Sequence, residues 1–138
     1  MELFPVVNTY INNVTEISNY MGQSLIADPG DFNLRFSVLY GINVQDPVSY
    51  AGAFTKMKAA FDKRESTGTI ELHEIIAGGE QGITHVVIVR APSMAEWLSG
   101  RNEFIQTKAF QEFAAATRPY TDLIQTTSGR PLQFYNVQ

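Results

Sequence analysis

The stretch that decides the fold covers residues 35–44 and reads RFSVLYGINV. Every second position from Phe36 to Val44 is apolar or aromatic, and the positions between them are small, mixed or partly polar. This alternation predicts a half-buried β-strand with one face turned to the core. We therefore place a strand at Arg35–Val44.

Helical spacing follows this strand directly. Asp46 and Pro47 form an N-cap and a first-turn proline, so a helix is expected to begin here and to run to about Lys63. Its apolar stripe consists of Tyr50, Phe54, Met57 and Phe61. The spacing of the stripe predicts that one side of the helix packs on a sheet.

A hairpin comes next along the chain. Residues Thr69–Ala77 and Thr84–Val89 are rich in β-branched residues, and the glycine-rich run GGEQG at 78–82 separates them. Two such runs around a glycine turn predict paired antiparallel strands.

The second helical region is predicted to be broken. Ser93 and Glu96 are spaced as a capping box, and the helical pattern is interrupted near Gly100 and residues 106–107. We expect two segments, Met94–Ile105 and Lys108–Thr117, that meet at a bend.

Two strand-like stretches, Asp122–Thr127 and Leu132–Val137, end the chain, with turn residues between them. From Arg35 onward the order is strand, helix, strand, strand, helix, strand. This order predicts an α+β, ferredoxin-like βαββαβ domain over 35–138, with an antiparallel sheet covered by helices on one face.

Residues 1–34 lie outside that unit and carry the whole net charge of −4, because they contain four acidic residues and no basic one. Their apolar spacing fits one long helix after Pro5. A run poor in helix formers and a cap signal at 13–16 instead favour a short strand at Glu2–Ile11 and a helix at Val14–Ile26. We favour this strand-helix extension, packed on the main domain.

Composition excludes several functions. With no Cys, the chain has no disulfide, thiolate nucleophile or Cys-ligated zinc. Its basic residues are too few and too diluted for a nucleic-acid surface, and no apolar run is long enough for a membrane span. No secretory signal is evident, so we expect a cytoplasmic protein. We also expect no metal, because only two histidines are present, without firm carboxylate spacing. No cofactor is expected either.

The stretch GGEQGITHVVIV at 78–89, continued by SMAEW at 93–97 and KAFQEF at 108–113, resembles the dimeric α+β barrel proteins. The likeness is to small ferredoxin-like members such as NIPSNAP-like and antibiotic-biosynthesis-monooxygenase-type proteins. It implies a homodimer in which two sheets face each other. A sheet with helices on one side would otherwise expose apolar residues such as Leu39 on its second face.

The candidate catalytic residues are His73 and His85, one on each strand of the hairpin. If the turn pairs His73 with His85, both imidazoles share a face and can act as an acid/base pair or as metal ligands. If His85 instead pairs with Glu74, they do not, and the sequence leaves the register open. Each histidine can also simply be hydrogen-bonded on a half-buried strand.

Four further residues are candidates for ligand binding. Asn43 ends the first strand and can donate a hydrogen bond to a ligand or to a turn, and Arg90 can hold an anion or pair with an acidic neighbour. Tyr40 and Trp97 are aromatic side chains that can line a pocket or serve as packing residues.

Two functions remain open from the sequence. One is a dimer that binds a small apolar or aromatic molecule in the barrel, or serves as an assembly module. The alternative, implied by the resemblance, is a cofactor-independent monooxygenase or isomerase that acts on an activated aromatic or enol substrate. Such an enzyme needs a dry pocket, a base and an oxyanion donor.

Overall fold

The computed structural model describes residues 20–28, 34–64 and 68–130. Within them lie five strands, three α-helices and one 3₁₀ turn. The strands are β1 (Tyr20–Ile26), β2 (Phe36–Val44), β3 (Thr69–Gly78), β4 (His85–Ala91) and β5 (Thr121–Gly129). The helices are α1 (Pro47–Asp62), α2 (Met94–Phe104) and α3 (Lys108–Thr117), and the 3₁₀ turn is Arg118–Tyr120.

The strands form one sheet in the order β1-β3-β4-β2-β5, and every neighbouring pair is antiparallel. From β2 onward, two strands that are joined through a helix are never neighbours in the sheet. β4 lies between β2 and β3, and β2 lies between β4 and β5. This is the split βαβ arrangement of a ferredoxin-like fold. The α+β class and the ferredoxin-like order predicted from residue 35 onward are therefore confirmed.

The predicted helix starts are confirmed by their caps. The Asp46 carboxylate accepts a hydrogen bond from the backbone N–H of Ser49 at 3.1 Å, and the Ser93 hydroxyl accepts one from that of Glu96 at 3.2 Å. These contacts satisfy N–H groups that have no partner within the helix.

The predicted bend after α2 is also confirmed, and Thr107 produces it. Its hydroxyl donates to the carbonyl of Phe104 at 2.7 Å and accepts from the backbone N–H of Phe110 at 3.3 Å. One side chain thus ends α2 and begins α3.

The prediction of a helix over Val14–Ile26 is wrong in its last part, because Tyr20–Ile26 is strand β1. This strand pairs with β3 from Tyr20 opposite Gly78 to Ile26 opposite Leu72. Its backbone therefore supplies the hydrogen bonds that the edge of β3 would otherwise lack. The predicted strand at Glu2–Ile11 and the beginning of the helix fall outside the described residues.

The last strand extends beyond its prediction of Asp122–Thr127. It pairs with β2 from Val44 opposite Thr121 to Ser37 opposite Gly129, so it passes through residues expected to form a turn. Pairing with the long strand β2 continues the backbone hydrogen bonds through residues whose local sequence favours a turn. The predicted strand Leu132–Val137 lies outside the described residues.

The hairpin register places Glu74 opposite His85 and His73 opposite Val86. Since neighbours along a strand point to opposite faces, the two histidines lie on opposite faces of the sheet. We call the face that carries Tyr40 and Ile42 the helical face, and the other the outer face. The hairpin turn uses positive φ angles at Gly78, Gly79 and Gly82, a conformation that favours glycine.

The core lies between the helical face and the helices. Its buried members include Ile42, Phe54, Met57, Leu72, Val87 and Phe104. The apolar stripe predicted for α1 is buried in full, as Tyr50, Phe54, Met57 and Phe61. None of the helices in the described ranges is long and apolar enough to cross a membrane.

Candidate functional site

A cavity of about 370 Å³ lies within the apolar layer between the helical face and the helices. Small-molecule sites commonly range from about 300 to 1,000 Å³, so the cavity can hold a compact ligand. Its lining is mainly apolar and aromatic and comes from β2, α1, the start of β3, β4, α2, α3 and β5. These residues include Tyr40, Ile42, Tyr50, Phe54, Met57, Phe61, Ile70, Val87, Val89, Trp97, Phe104, Phe110, Phe113 and Leu123.

Aromatic side chains hold the helical wall of the cavity together. The rings of Phe61 on α1 and Phe104 on α2 meet edge to face, with centroids 5.2 Å apart. Tyr50 and Phe113 make a similar contact at 5.6 Å, which joins α1 to α3. Edge-to-face pairs fix the relative orientation of the rings, so the wall presents a defined aromatic surface.

Trp97 enters the cavity from the first part of α2. Its backbone N–H donates to the carbonyl of Ser93 at 3.0 Å, so the cap that begins the helix also sets the place of this residue. Its ring packs against Phe36 with centroids 5.8 Å apart. Trp97 thus forms part of the cavity wall, together with Pro92.

Tyr50 is the most enclosed polar side chain of the lining, with 4% of its surface exposed. Burial raises the pKa of its hydroxyl, and the neighbouring Tyr120 raises it further. The hydroxyl therefore stays protonated at neutral pH. Within the described part of the chain, it has no hydrogen-bond partner.

Arg64 lies at the rim of the cavity. Its guanidinium sits over the ring of Phe104 at 5.1 Å from the centroid and donates to the carboxylate of Glu103 at 3.3 Å. It also donates to the carbonyl of Gly100 at 3.5 Å. These contacts connect the end of α1 to α2 across the rim.

Gly100 faces open space at this rim. A Cβ added at this position would meet nothing within 4 Å, and Gly100 is part of the lining. The gap between α2 and Arg64 is therefore the point at which a larger side chain would narrow the cavity.

Three of the predicted site residues line the cavity, namely Tyr40, Trp97 and Arg90. The guanidinium of Arg90, however, donates to the carboxylate of Glu71, which lies on the outer face. Its charge is directed away from the cavity. This is the pairing with an acidic neighbour that the sequence left open for Arg90.

His73 belongs to the same cluster on the outer face. Its Nε2 lies 2.9 Å from the Glu71 carboxylate, which is thus held between an imidazole and a guanidinium. Burial raises the pKa of the Glu71 carboxyl. The hydrogen bonds and charges of His73 and Arg90 outweigh it and hold that pKa below its usual range.

His85 and Asn43 lie outside the described lining of the cavity. His85 is 3% exposed, and its Nδ1 lies 2.9 Å from the hydroxyl of Thr84. Burial lowers the pKa of its imidazole, although the charge of Glu74 opposes this. The Asn43 side chain donates to the carbonyl of Gly82 at 2.7 Å, so it joins the end of β2 to the hairpin turn.

The arrangement provides an aromatic and aliphatic cavity with few polar groups. Within the described ranges, no group of three or more His, Asp or Glu side chains is placed to hold a metal ion. The sequence analysis did not identify Tyr50 or Arg64 as site residues. The available signal was a tyrosine within a stripe that is otherwise Phe and Met, where a hydroxyl would have to face something polar.

Comparisons with known proteins show the fold. No family model matches the chain, and no curated protein sequence matches it. Among solved structures, the chain is similar to SnoaB, a cofactor-independent oxygenase from Streptomyces nogalater. The TM-score is 0.50 at 13% identity, over 72% of this chain and 95% of SnoaB.

A second similar structure is a proposed monooxygenase from Lactobacillus acidophilus NCFM. Its TM-score is 0.55 at 10% identity, over 89% of this chain and 56% of that one. The resemblance to α+β barrel proteins, drawn from the sequence, is thereby confirmed for the fold. At such low identities the likeness does not carry an activity across.

Proposed function

We propose that the protein binds a planar, largely apolar aromatic molecule in the cavity beneath its helices. The observation that carries this proposal is the cavity of about 370 Å³ whose lining is dominated by aromatic and aliphatic side chains. A ligand in an apolar cavity of this size makes many van der Waals contacts with the lining. Flat rings fit best, because the wall is itself built from ring faces and edges.

The lone tryptophan of the chain makes the proposal directly testable, because Trp97 lines the cavity. Intrinsic fluorescence therefore reports on a single site. Titration of the full chain with 9-fluorenone is expected to change Trp97 emission saturably, with a stoichiometry of one per chain. N-acetyltryptophanamide measured in parallel corrects for absorption and for collisional quenching. A linear change equal to that of the free indole would contradict the proposal.

The second candidate is cofactor-independent oxygenation of an aromatic substrate, and the similarity to SnoaB supports it. In this chemistry, one atom of dioxygen is incorporated as a carbonyl and the other leaves as water, while a ring methylene loses two hydrogens. A cavity that excludes water suits such a reaction, since it protects the substrate anion from quenching.

Oxygen consumption separates the two candidates. The protein is incubated with a panel of quinols in buffer that contains a chelator, and oxygen uptake is compared with the spontaneous rate. Uptake that depends on the protein and is lost when the cavity is filled supports an oxygenase. Saturable binding without uptake supports a binding protein.

We also propose that the chain forms a homodimer. Apolar residues of the outer face, such as Leu39 and Ile88, are only partly buried, and the edge strand β5 exposes Leu123 and Ile124. A second copy would cover such surfaces symmetrically. Sedimentation at micromolar concentration is expected to give twice the chain mass of 15.4 kDa. A species of the single mass would contradict a dimer.

A further inference from the structure

Within the described part of the chain, the buried hydroxyl of Tyr50 has no hydrogen-bond partner. The residue lines the cavity, its side chain is enclosed by ring contacts with Phe54 and Phe113, and 4% of it is exposed. Buried hydroxyls in folded proteins nearly always have a hydrogen-bond partner, and an unmade bond costs stability. A hydroxyl left unbonded at the wall of a cavity is therefore placed for something that enters it.

The oxygen of Tyr50 borders free space. Among the described residues, the side-chain oxygens that are both fully enclosed and unbonded belong to Thr69 and Thr121. Within the described residues the Tyr50 oxygen has no hydrogen-bond partner either, but it is not fully enclosed. Part of its surface is therefore accessible, and Tyr50 itself lines the cavity.

The role of this group is that of a donor. Burial and the neighbouring Tyr120 both raise the pKa of the Tyr50 hydroxyl, so it keeps its proton across the neutral range. The matching group on a ligand is an oxygen acceptor. Trp97, the indole of the lining, is likewise able only to donate through its ring N–H.

We infer that Tyr50 determines specificity by donating a hydrogen bond to a carbonyl oxygen, so that the cavity selects aromatic ketones and quinones over aromatic hydrocarbons. This inference rests on the proposed function, because it names the class of molecule that the cavity binds. The rings of the ligand meet the aromatic wall, and its oxygen meets Tyr50. A site with a buried donor discriminates against a ligand that leaves the donor unpaired.

The test uses two flat tricyclic probes that differ in one group, 9-fluorenone with its carbonyl and fluorene without it. Equilibrium dialysis of the full chain measures the affinity for each. We expect the wild type to prefer 9-fluorenone, and Tyr50→Phe to lower the affinity for 9-fluorenone by roughly tenfold. The affinity for fluorene is expected to stay within about twofold.

Tyr120→Phe is the matched control, because it removes a neighbouring hydroxyl that is not part of the described lining. It is expected to change neither affinity by more than about twofold. Far-UV circular dichroism verifies that each variant is folded. A second measurement needs no variant: the carbonyl stretch of 9-fluorenone bound to the wild type is expected at lower frequency than in an alkane, as for a hydrogen-bonded ketone.

The outcomes separate this inference from the proposed function. Equal affinity of the wild type for both probes, or loss of the preference in Tyr40→Phe rather than Tyr50→Phe, overturns the role of Tyr50 and leaves an aromatic-binding cavity in place. An unshifted carbonyl stretch of bound 9-fluorenone would likewise overturn the role of Tyr50 and leave an aromatic-binding cavity in place. Binding of neither probe overturns the proposed function and the inference together.

Discussion

Glu74 lies directly opposite His85 across the β3–β4 pair, and this one pairing separates the two histidines of the chain. His85 shares the helical face with Glu74, whereas His73 lies on the outer face and contacts Glu71. The imidazoles are therefore unable to act on one ligand as an acid/base pair within a single chain. Each has instead a partner of its own.

The carboxylate of Glu71 is expected to contribute strongly to stability. It is 6% exposed and contacts both Arg90 and His73, so Glu71→Gln leaves a partly buried guanidinium without its counter-charge. We expect a loss of about 2 kcal/mol in the free energy of unfolding by urea at pH 7. Since the pKa of Glu71 is lowered in the folded protein, this difference is present above about pH 4.5 and declines as the pH falls further.

Glu112→Gln is the control for that substitution. Glu112 also lies between two cations, Lys56 at 3.5 Å and Lys108 at 3.6 Å, but on an exposed helix surface. Its loss is expected to cost less than about 0.5 kcal/mol. Equal effects of the two substitutions would show that the outer-face cluster adds nothing beyond surface charge.

His85 is expected to make the protein less stable in mild acid. Its pKa is lowered in the folded state, so below about pH 6.5 the unfolded chain takes up a proton that the folded chain does not. The free energy of unfolding therefore falls between pH 7.5 and pH 5.5. In His85→Gln this fall is expected to be smaller, as measured by urea titration at both pH values.

Glu74→Gln should have the opposite effect on the fall in the free energy of unfolding between pH 7.5 and pH 5.5. The charge of Glu74 raises the pKa of His85 against the effect of burial, so its removal lowers that pKa further. The fall in stability between pH 7.5 and pH 5.5 is then steeper than in the wild type. A shallower fall would mean that the charge of Glu74 does not act on the imidazole.

Gly82 is expected to resist substitution for purely conformational reasons. Its φ is +87°, and a Cβ at this position would meet nothing within 4 Å. Gly82→Ala should therefore cost about 1 kcal/mol through backbone strain alone. Gly129→Ala, on the exposed end of β5, also meets nothing within 4 Å and is expected to change stability little. Thermal unfolding of the two variants measures the difference.

Gly100→Leu is expected to weaken ligand binding without weakening the fold. The new side chain enters the open rim of the cavity, whereas Gly52→Leu places the same side chain on the exposed surface of α1. Both exchanges replace a helical glycine and should stabilise by about 0.5–1 kcal/mol. Only Gly100→Leu should reduce the affinity for 9-fluorenone, measured through Trp97. Equal affinities in the two variants would show that 9-fluorenone does not enter the cavity at the rim beside Gly100.

Local signals in the sequence predicted most of the fold. The alternation in 35–44 and the caps at Asp46 and Ser93 placed β2, α1 and α2 to within about a residue, because these signals depend on neighbours along the chain. For residues 20–26 the helix prediction is wrong, since Met21 and Leu25 are spaced as on a helix but lie on a strand. Their strand depends on pairing with β3, a contact that no local pattern reveals.

The site is harder to predict from the sequence than the fold is. The sequence singles out Tyr40 and Trp97, and both line the cavity. The sequence-based hypothesis of a ligand in the barrel concerns another place in the fold, and it stays a prediction. Both strands of the hairpin alternate similarly, so the pattern left open which face each histidine takes. For Tyr50 the spacing predicts only a core position, because spacing indicates that a residue is buried but not whether its hydroxyl has a hydrogen-bond partner.

The short interruption at Thr107 has a consequence for how this protein can change over evolutionary time. It sets the angle at which Phe110 and Phe113 approach the sheet, while the strand ladder has no part in it. Insertions or exchanges at this one bend would reshape the cavity and leave every strand pairing intact. The shape of the cavity can therefore diverge among descendants of this sequence through a few residues, with the sheet inherited unchanged.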